Sequence, residues 1–249
     1  MATDVRTEIT DRVAVLTVSN PERRNAMNLE LSGKLVAALE RCVADDGVGA
    51  IVVTGEEPAF CAGGDLGELA DADPAVLRRV YSGFLAVAEC PLPTIAAVNG
   101  AAVGAGLNLA LACDLRLAGP RARFDARFLP LGLHPGGGYT WMAQRVLGYQ
   151  GAAALTLFGD VVDAEEALRI GLVHRVSEDV LGAAVELAGR AAGLPRDLAV
   201  TTKATMRLTA GMASQEQAVE VEVRAQAASV RSDEFRQRLA ALQASIRSR

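Results

Sequence analysis

Two apolar, β-branched runs are each followed by a glycine-containing turn and then by a helical pattern, and this repeated order constrains the fold more than any other feature. The runs are Ala50–Thr54 and Thr94–Val98, and the turns lie at residues 60–66 and 99–106. Runs of this length and composition are typical of buried strands. Because strands that alternate with helices build a sheet with helices packed against it, we expect an α/β fold.

Short periodic segments extend this pattern along the chain. Alternating polarity on either side of a two-residue turn predicts an opening hairpin from Val5–Thr10 and Val13–Ser19. Apolar residues at three- and four-residue steps predict helices, whereas short β-branched runs predict strands. The helices are expected at residues 29–43, 74–88 and, beginning with a tightly packed Gly/Ala-rich segment, 100–112, and the strands at residues 115–117, 123–124 and 173–176.

The last fifth of the chain differs in composition. From about Arg196 it consists largely of Ala, Gln, Glu and Arg with helical spacing, which predicts two or three terminal helices. We therefore expect a core domain over residues 1–195 and a helical C-terminal subdomain over residues 196–249. That subdomain would cover the pocket or form a trimer contact.

Composition and charge argue against several classes of function. The chain has 249 residues, of which 51% are hydrophobic, enough for one large core. Its 25 basic and 30 acidic residues are mixed along the chain, so neither nucleic acid nor an anionic membrane is an expected partner. The N-terminal residues are too charged for a signal peptide, and no run is long enough to span a membrane. We expect a cytoplasmic protein.

The cysteines and histidines give no sign of a metal site or a disulfide framework. Cys42, Cys61, Cys90 and Cys113 are scattered without metal-like spacing, and only two histidines are present. We expect no bound metal, and in the cytoplasm we expect the thiols to stay reduced.

The two glycine-containing turns are candidates for a functional site. Glycine lets a ligand approach the backbone closely, so such turns can aim free N–H groups at a polarised oxygen. Two converging turns would form an oxyanion hole. The alternative is that small residues there only let helices pack close to strands. Gly104-Ala105-Gly106 lacks the third glycine of a dinucleotide site, and the chain has neither a P-loop nor a GxSxG turn.

Several motifs occur together in a fixed order. They include FCAGGDL at residues 60–66 and AVNG at residues 97–100. The full set comprises residues 20–28, 60–66, 93–106, 113–116, 131–138, 164–167 and 171–173. In this order they resemble the motifs of the enoyl-CoA hydratase/isomerase (crotonase) superfamily over roughly residues 5 to 210, and coincident motifs are far more specific than a single one.

The resemblance implies a crotonase-like (ClpP/crotonase) core of repeated ββα units in a superhelix, with a helical C-terminal subdomain. It also implies acyl-CoA thioester substrates, no separate cofactor because CoA is part of the substrate, and a homotrimer or a dimer of trimers. By position, the backbone N–H groups of Gly64 and Ala105 would form the oxyanion hole that stabilises an enolate. The positive end of a helix that begins at Gly106 would point at the same oxygen.

The resemblance also places residues along the substrate. Those expected near the CoA moiety, its pantetheine arm or the acyl group are Arg23, Arg24, Ala26, Cys61, Ala62, Asp65, Leu66, Phe128 and Gly136. Arginine suits phosphate by its charge and forked geometry, with a solvated surface charge as the alternative. Asp65 precedes a predicted helix that begins at Leu66, and capping that helix is its favoured role.

The chain departs from the hydratase pattern at two positions. Hydratases of the superfamily use two glutamates, and those positions hold Asn108 and Phe128 here. Asparagine can orient water but cannot transfer protons at neutral pH, and phenylalanine can do neither. Because a positioned acid or base is worth about 10²- to 10⁴-fold in rate, we expect little standard hydratase activity.

His134 is the foremost candidate to replace the missing carboxylates. It lies beside the glycine-rich residues 135–138 and could act as an acid or a base near neutral pH. The alternative is a histidine that only bonds to a loop carbonyl. Asp125 is a second candidate, although an ion pair with Arg123 or Arg127 is its favoured role. Glu68 is a weaker one.

The leading hypothesis is an acyl-CoA enzyme that stabilises an enolate and uses a non-standard acid/base set. Isomerisation, decarboxylation or hydration of an unusual acyl chain would fit. The alternative is a non-catalytic acyl-CoA-binding protein that retains the pocket, and a third hypothesis is a scaffold that binds no CoA. His174, in the late predicted strand, is expected to be structural.

Overall fold

The computed structural model describes residues 3–70 and 72–247. The strands are β1 (Asp4–Thr10), β2 (Val13–Ser19), β3 (Ala50–Gly55), β4 (Thr94–Val98), β5 (Ala101–Val103), β6 (Leu115–Ala118), β7 (Arg123–Asp125), β8 (Val161–Asp163) and β9 (Arg175–Val176). The α-helices are α1 (Leu29–Ala44), α2 (Leu66–Leu69), α3 (Pro74–Glu89), α4 (Ala105–Ala112), α5 (Tyr139–Leu157), α6 (Ala164–Arg169), α7 (Val180–Ala192), α8 (Arg196–Thr209), α9 (Gln215–Ser229) and α10 (Asp233–Arg247). The chain folds as two compact units, Met1–Ala192 and Gly193–Arg249.

The larger sheet of the first unit begins with the predicted hairpin. β1 and β2 pair antiparallel around Asp11 and Arg12, whose φ values of 48° and 68° are the left-handed ones that a two-residue hairpin turn needs. The sheet order is β1-β2-β3-β4-β6-β9, and all neighbours from β2 onward are parallel. Parallel strands end at the same edge, so the chain segments that follow β3 and β4 leave the sheet on the same side.

The smaller sheet, in the order β5-β7-β8, contains two strands that the sequence did not predict. The expectation of a helix from residue 100 was wrong at its beginning, because Ala101–Val103 form β5 and α4 starts at Ala105. β8 lies in a stretch for which no strand was expected. Both strands have three residues, too few for an alternating pattern to stand out, and both are held by pairing with β7.

Small residues let one helix lie close to the larger sheet. Helix α7 covers one sheet face, and all six residues of β3 are buried. The buried residues of this cluster are Val13, Ala50, Val52, Ile95, Ala97, Leu117, Val180, Ala184, Ala188 and Ala192. Because α7 contributes mainly alanines at four-residue spacing, its backbone can approach the strands closely. This packing holds in place β3 and β4, the two strands that precede the glycine turns.

The second unit consists, in its described part, of helices α8, α9 and α10, and this confirms the predicted terminal helices. Helices α8 and α9 pack against each other. Many large apolar side chains of the unit are nevertheless exposed: Leu198, Met206, Leu208, Val219, Val223, Val230, Phe235, Leu239, Leu242 and Ile246. A role in covering a pocket or in forming a trimer stays a prediction.

Candidate functional site

A cavity of about 630 Å³ opens in the first unit, where the segments that follow β3 and β7 meet helix α3 and the beginning of α4. Most of its wall is apolar, with Leu69, Leu77 and Val80 among the contributors. The polar and charged side chains on the wall belong to Arg23, Asp65, Tyr81, Asn108, Arg127 and His134. The cavity is large enough for a small-molecule ligand.

The first glycine turn presents the backbone amide of Gly64. The Met27 N–H donates to the Gly63 carbonyl oxygen at 2.7 Å, and the Asp65 N–H donates to the Met27 carbonyl oxygen at 2.8 Å. This parallel bridge uses the residues on either side of Gly64, and no described residue accepts a hydrogen bond from the Gly64 N–H itself. Asp65 Oδ1 accepts from the Gly67 N–H at 2.8 Å, so the predicted cap of α2 is confirmed.

The second glycine turn presents the backbone amide of Ala105. Gly104 has a φ of 50°, and its N–H donates to the Asp125 carbonyl oxygen at 2.9 Å. Ala105 is then the first residue of α4, where a helix leaves its N–H groups without intrahelical acceptors. Within the described residues, the Ala105 N–H has no hydrogen-bond acceptor.

A short backbone ladder holds the two turns together. The Cys61 N–H donates to the Ala101 carbonyl oxygen, and the Val103 N–H donates to the Cys61 carbonyl oxygen, each at 3.0 Å. A methyl group added to Gly106 would lie 2.0 Å from that same Cys61 oxygen, so only glycine lets α4 begin so close to the first turn. Gly64 and Ala105 consequently lie on the wall of one cavity.

Comparison with known proteins matches the chain over most of its length. It is 55% identical over 240 residues to the probable enoyl-CoA hydratase EchA14 of Mycobacterium tuberculosis (strain ATCC 25618 / H37Rv). The matched region covers 93% of this chain and 94% of that protein. The family model for enoyl-CoA hydratase/isomerase matches residues 8–244. The chain belongs to the enoyl-CoA hydratase/isomerase family.

Other family members bear on the fold and on the range of reactions. A crystal structure of an enoyl-CoA hydratase from Polaromonas sp. JS666 superimposes with a TM-score of 0.91 at 28% identity, covering 97% of both chains. The predicted crotonase-like fold is thereby confirmed. A 1,2-epoxyphenylacetyl-CoA isomerase of Escherichia coli (strain K12) is 37% identical over 176 residues, which is 67% of each chain. Membership of the enoyl-CoA hydratase/isomerase family therefore fixes the fold but not one reaction.

In this family member, both expected glutamate positions lie on the cavity wall. Asn108 is 1% exposed, and its Nδ2 donates to the Gly136 carbonyl oxygen at 2.9 Å. Its Oδ1 is buried and has no hydrogen-bond partner among the described residues. The ring of Phe128 packs against that of Tyr139, with 5.1 Å between the ring centroids. An amide and an aromatic ring therefore occupy the two positions at which the resemblance implies glutamates in a hydratase.

The imidazole of His134 is exposed and lies on the same wall. Its Nδ1 is 2.7 Å from the Pro135 carbonyl oxygen. Because a carbonyl oxygen can only accept, Nδ1 carries the proton, and Nε2 of the neutral ring keeps its lone pair. The bond to a loop carbonyl thus leaves the side chain able to accept a proton at its other nitrogen.

Asp125 and Glu68 do not line the cavity, and each accepts hydrogen bonds from another residue. Asp125 is 6% exposed, and its Oδ2 accepts two hydrogen bonds from Arg127, one of them from Nε at 2.7 Å. Arg127, rather than Arg123, is therefore its ion-pair partner. Glu68 Oε2 accepts from the Leu29 N–H at 2.8 Å, at the beginning of α1. Neither carboxylate is on the cavity wall.

The residues predicted to contact substrate divide into two groups. Those on the cavity wall are Arg23, Ala26, Ala62, Asp65, Leu66, Phe128 and Gly136. Arg23 Nη1 lies 3.5 Å from Asp65 Oδ2, so this pair joins the two CoA-binding segments expected from the resemblance. Arg24 and Cys61 form the second group, which does not line the cavity. Arg24 is exposed, and its carbonyl oxygen accepts a hydrogen bond from the Ala62 N–H at 3.0 Å. Cys61 is fully buried, and burial raises the pKa of its thiol to about 11, so the thiol stays neutral.

Sequence reasoning missed two polar residues of the wall, Tyr81 and Arg127. Tyr81 lies on α3 among residues of the buried helix face, such as Val80 and Phe84, and this aromatic pattern is usually that of a core. Arg127 reaches the wall through a left-handed backbone conformation, φ 49°, which no neighbouring residue type indicates.

His174 and the remaining titratable groups lie outside the site. The exposed His174 precedes β9, so its assignment to that strand was wrong by one residue.

Residues 3–70 and 72–247 contain no group of three or more His, Cys, Asp or Glu residues that could hold a metal ion. None of the described helices combines the length and the apolarity needed to cross a membrane. The cytoplasmic location stays a prediction.

Proposed function

We propose that this family member binds an acyl-CoA thioester and stabilises the negative charge that develops on the thioester oxygen when an enolate forms. The observation that carries this proposal is the presence of two uncommitted backbone amides, those of Gly64 and Ala105, on the wall of one largely apolar cavity. Backbone amides held by a rigid framework need no reorganisation as charge appears, and removal of one such donor typically costs about 10²- to 10³-fold in rate.

Helix α4 adds to the same effect. Ala105 is its first residue, so the positive end of the helix dipole coincides with one of the two amides. The apolar wall lowers the local dielectric constant, and both interactions are stronger there than in water. The oxygen of a bound thioester would take both hydrogen bonds while its carbon chain lies along the apolar side of the cavity.

His134 is the proposed proton-transfer group. Its Nδ1–H bond to Pro135 orients the ring and leaves Nε2 free to accept a proton. Asp125 is engaged by Arg127, and the Asn108 amide can only orient a partner. In an isomerisation, the enolate forms when a base removes a proton next to the thioester carbonyl, and Nε2 of His134 is a group on the described wall suited to this step.

The missing glutamates favour isomerisation, decarboxylation or hydration of an unusual acyl chain over standard hydration. The same observation favours a second candidate, a non-catalytic acyl-CoA-binding protein, because Phe128 offers an apolar contact where a carboxylate would activate water.

Whether it is an enzyme or a binding protein, we expect it to be a homotrimer or a dimer of trimers. The exposed apolar side chains of α9 and α10 support such an assembly.

A screen against a CoA-thioester library separates these functions. Mass spectrometry after incubation with purified protein should detect a new product from at least one enoyl-, malonyl- or aryl-CoA. Binding measured by calorimetry without any product would leave the acyl-CoA-binding function. If no thioester binds at all, the proposal is wrong and the scaffold hypothesis remains.

A further inference from the structure

Arg127 contributes a positive charge to the largely apolar wall of the cavity. It lies between Ala126 and Phe128, which also line the cavity, and 53% of its side chain is exposed. Its backbone is in the left-handed conformation, with a φ of 49°. A residue that has a side chain adopts this conformation at an energetic cost, and residues held in it are concentrated at functional sites. Arg127 is therefore a candidate for contact with a ligand.

The carboxylate that pairs with Arg127 does not line the cavity. Asp125 is buried, and its Oδ2 accepts hydrogen bonds from both Nε and Nη2 of the arginine. A guanidinium has five N–H donors in a planar fork, so these two bonds orient the group and leave donors unused. Within the described residues, Nη1 of Arg127 has no acceptor. Asp125 thus holds the cation in place and leaves one end of the fork for a ligand.

The other charges on the described part of the wall compensate each other. Arg23 Nη1 lies 3.5 Å from Asp65 Oδ2, and both residues line the cavity. The side chains of Asn108 and Phe128 on the same wall are uncharged. Because Asp125 is buried and off the wall, a ligand meets the guanidinium of Arg127 rather than its counter-ion. A cation on an apolar wall attracts an anionic group more strongly than a cation in water does.

The segment that carries Arg127 adjoins the beginning of α4. The Gly104 N–H donates to the Asp125 carbonyl oxygen at 2.9 Å. A methyl group added to Gly104 would lie 3.8 Å from the Phe128 ring. Gly104 directly precedes Ala105, whose amide is proposed to bind the thioester oxygen. Arg127 is therefore placed on the side of the cavity where a short acyl group would extend from that oxygen.

We propose that Arg127 binds a carboxylate at the end of the acyl group, so that the ligands are CoA thioesters of dicarboxylic acids. A guanidinium matches a carboxylate both in charge and in its forked geometry, and the apolar wall would hold the methylene groups between the two ends. This inference rests on the proposed function, because it names the class of acyl group. The phosphates of CoA are the other anionic groups of such a ligand, and the test separates the two sources.

The test compares thioesters that differ only by the terminal carboxylate. Calorimetry would measure the affinity of the full chain for succinyl-, glutaryl- and adipyl-CoA and for butyryl-, pentanoyl- and hexanoyl-CoA, in which a methyl group replaces the carboxylate. These carboxylates are too far from the thioester carbonyl to be lost by decarboxylation. We expect at least one acid to bind ~10-fold or more tightly than its partner, as a charge-assisted hydrogen bond contributes. The ratio should fall close to one in Arg127→Gln.

Two further variants serve as controls. Asp125→Asn combined with Arg127→Gln removes both charges, so no buried carboxylate is left unpaired, and the ratio should again be close to one. Arg121→Gln removes an exposed arginine whose Nη2 lies 2.5 Å from Glu57 Oε2, outside the cavity. The ratio in Arg121→Gln should equal that of the wild type.

The contrary outcomes distinguish this inference from the proposed function. Equal affinities within every pair of thioesters would show that the wild type has no carboxylate site. An equal loss for both members of a pair in Arg127→Gln, with the ratio unchanged, would assign the arginine to a CoA phosphate. Either result overturns the inference and leaves the proposed function in place. If none of the six thioesters binds, the proposed function fails and the carboxylate site with it.

Discussion

At the residue scale, the proposal depends on His134, whose imidazole lies on the cavity wall. Its Nε2 is the atom proposed to accept the proton. We expect His134→Ala to lower turnover of the substrate found in the screen by roughly 10²-fold or more, because a positioned base is lost. Binding of the same thioester should change little. Steady-state kinetics and calorimetry measure the two effects separately.

His134→Asn is the matched control for a merely structural role. The asparagine amide can still donate to the Pro135 carbonyl oxygen, but it has no group that accepts a proton at neutral pH. Equal losses in both variants would support proton transfer by the ring. Wild-type turnover in the asparagine variant would limit His134 to holding its loop.

Sequence reasoning located nearly half of the residues on the cavity wall, because the order and spacing of the motifs carry that information. The resemblance implied the two amide positions, Asn108 and Phe128, whereas His134 was singled out by its place beside the glycine-rich residues 135–138. The cavity includes each of them. Tyr81 could not be found in this way. Its hydroxyl reaches the site only because α3 packs next to residue 136, a contact between segments far apart in the sequence.

At the scale of elements, the first glycine turn and the beginning of α4 are in close contact at Gly106, where no side chain can be accommodated. Gly106→Ala would place a methyl group 2.0 Å from the Cys61 carbonyl oxygen, so the backbone has to move. We expect a loss of roughly 2 kcal/mol or more in the free energy of unfolding, as overpacking of a rigid site costs. Urea denaturation monitored by circular dichroism measures it.

Gly33→Ala is the matched control on α1. A methyl group there meets nothing within 4 Å, and the residue is exposed within the helix. It should stabilise the protein by about 0.5–1 kcal/mol, since alanine is the better helix former. If Gly106→Ala behaves like Gly33→Ala, the two turns are not packed as described.

The longer elements could be predicted from the sequence, whereas the shortest could not. The hairpin, α1, α3 and the buried strands β3 and β4 have enough residues for a period to be visible. β5 and β8 have three residues each, and their conformation comes from pairing with β7 rather than from their own composition. The strand pairing that forms the smaller sheet can therefore be seen only in the folded structure.

At the scale of the whole molecule, the exposed apolar side chains of the second unit favour self-association. On α10 they recur at three- and four-residue steps: Phe235, Leu239, Leu242 and Ile246. A stripe of this kind typically marks an interface. We expect light scattering to give three or six times the chain mass of 26.0 kDa. A mass equal to one chain would contradict the predicted trimer or dimer of trimers.

Polarisation of a bound thioester carbonyl by the amides of residues 64 and 105 is the central claim, and isotope-edited infrared spectroscopy of a ¹³C-labelled acyl-CoA measures it directly. Ala105→Pro removes one N–H at the first position of a helix, where proline fits the backbone, and Ala105→Gly retains it. The carbonyl band should shift to lower frequency on binding to the wild type and to Ala105→Gly, and much of that shift should be lost in Ala105→Pro. A bound carbonyl that absorbs as in free solution, or an undiminished shift in Ala105→Pro, would contradict the oxyanion hole.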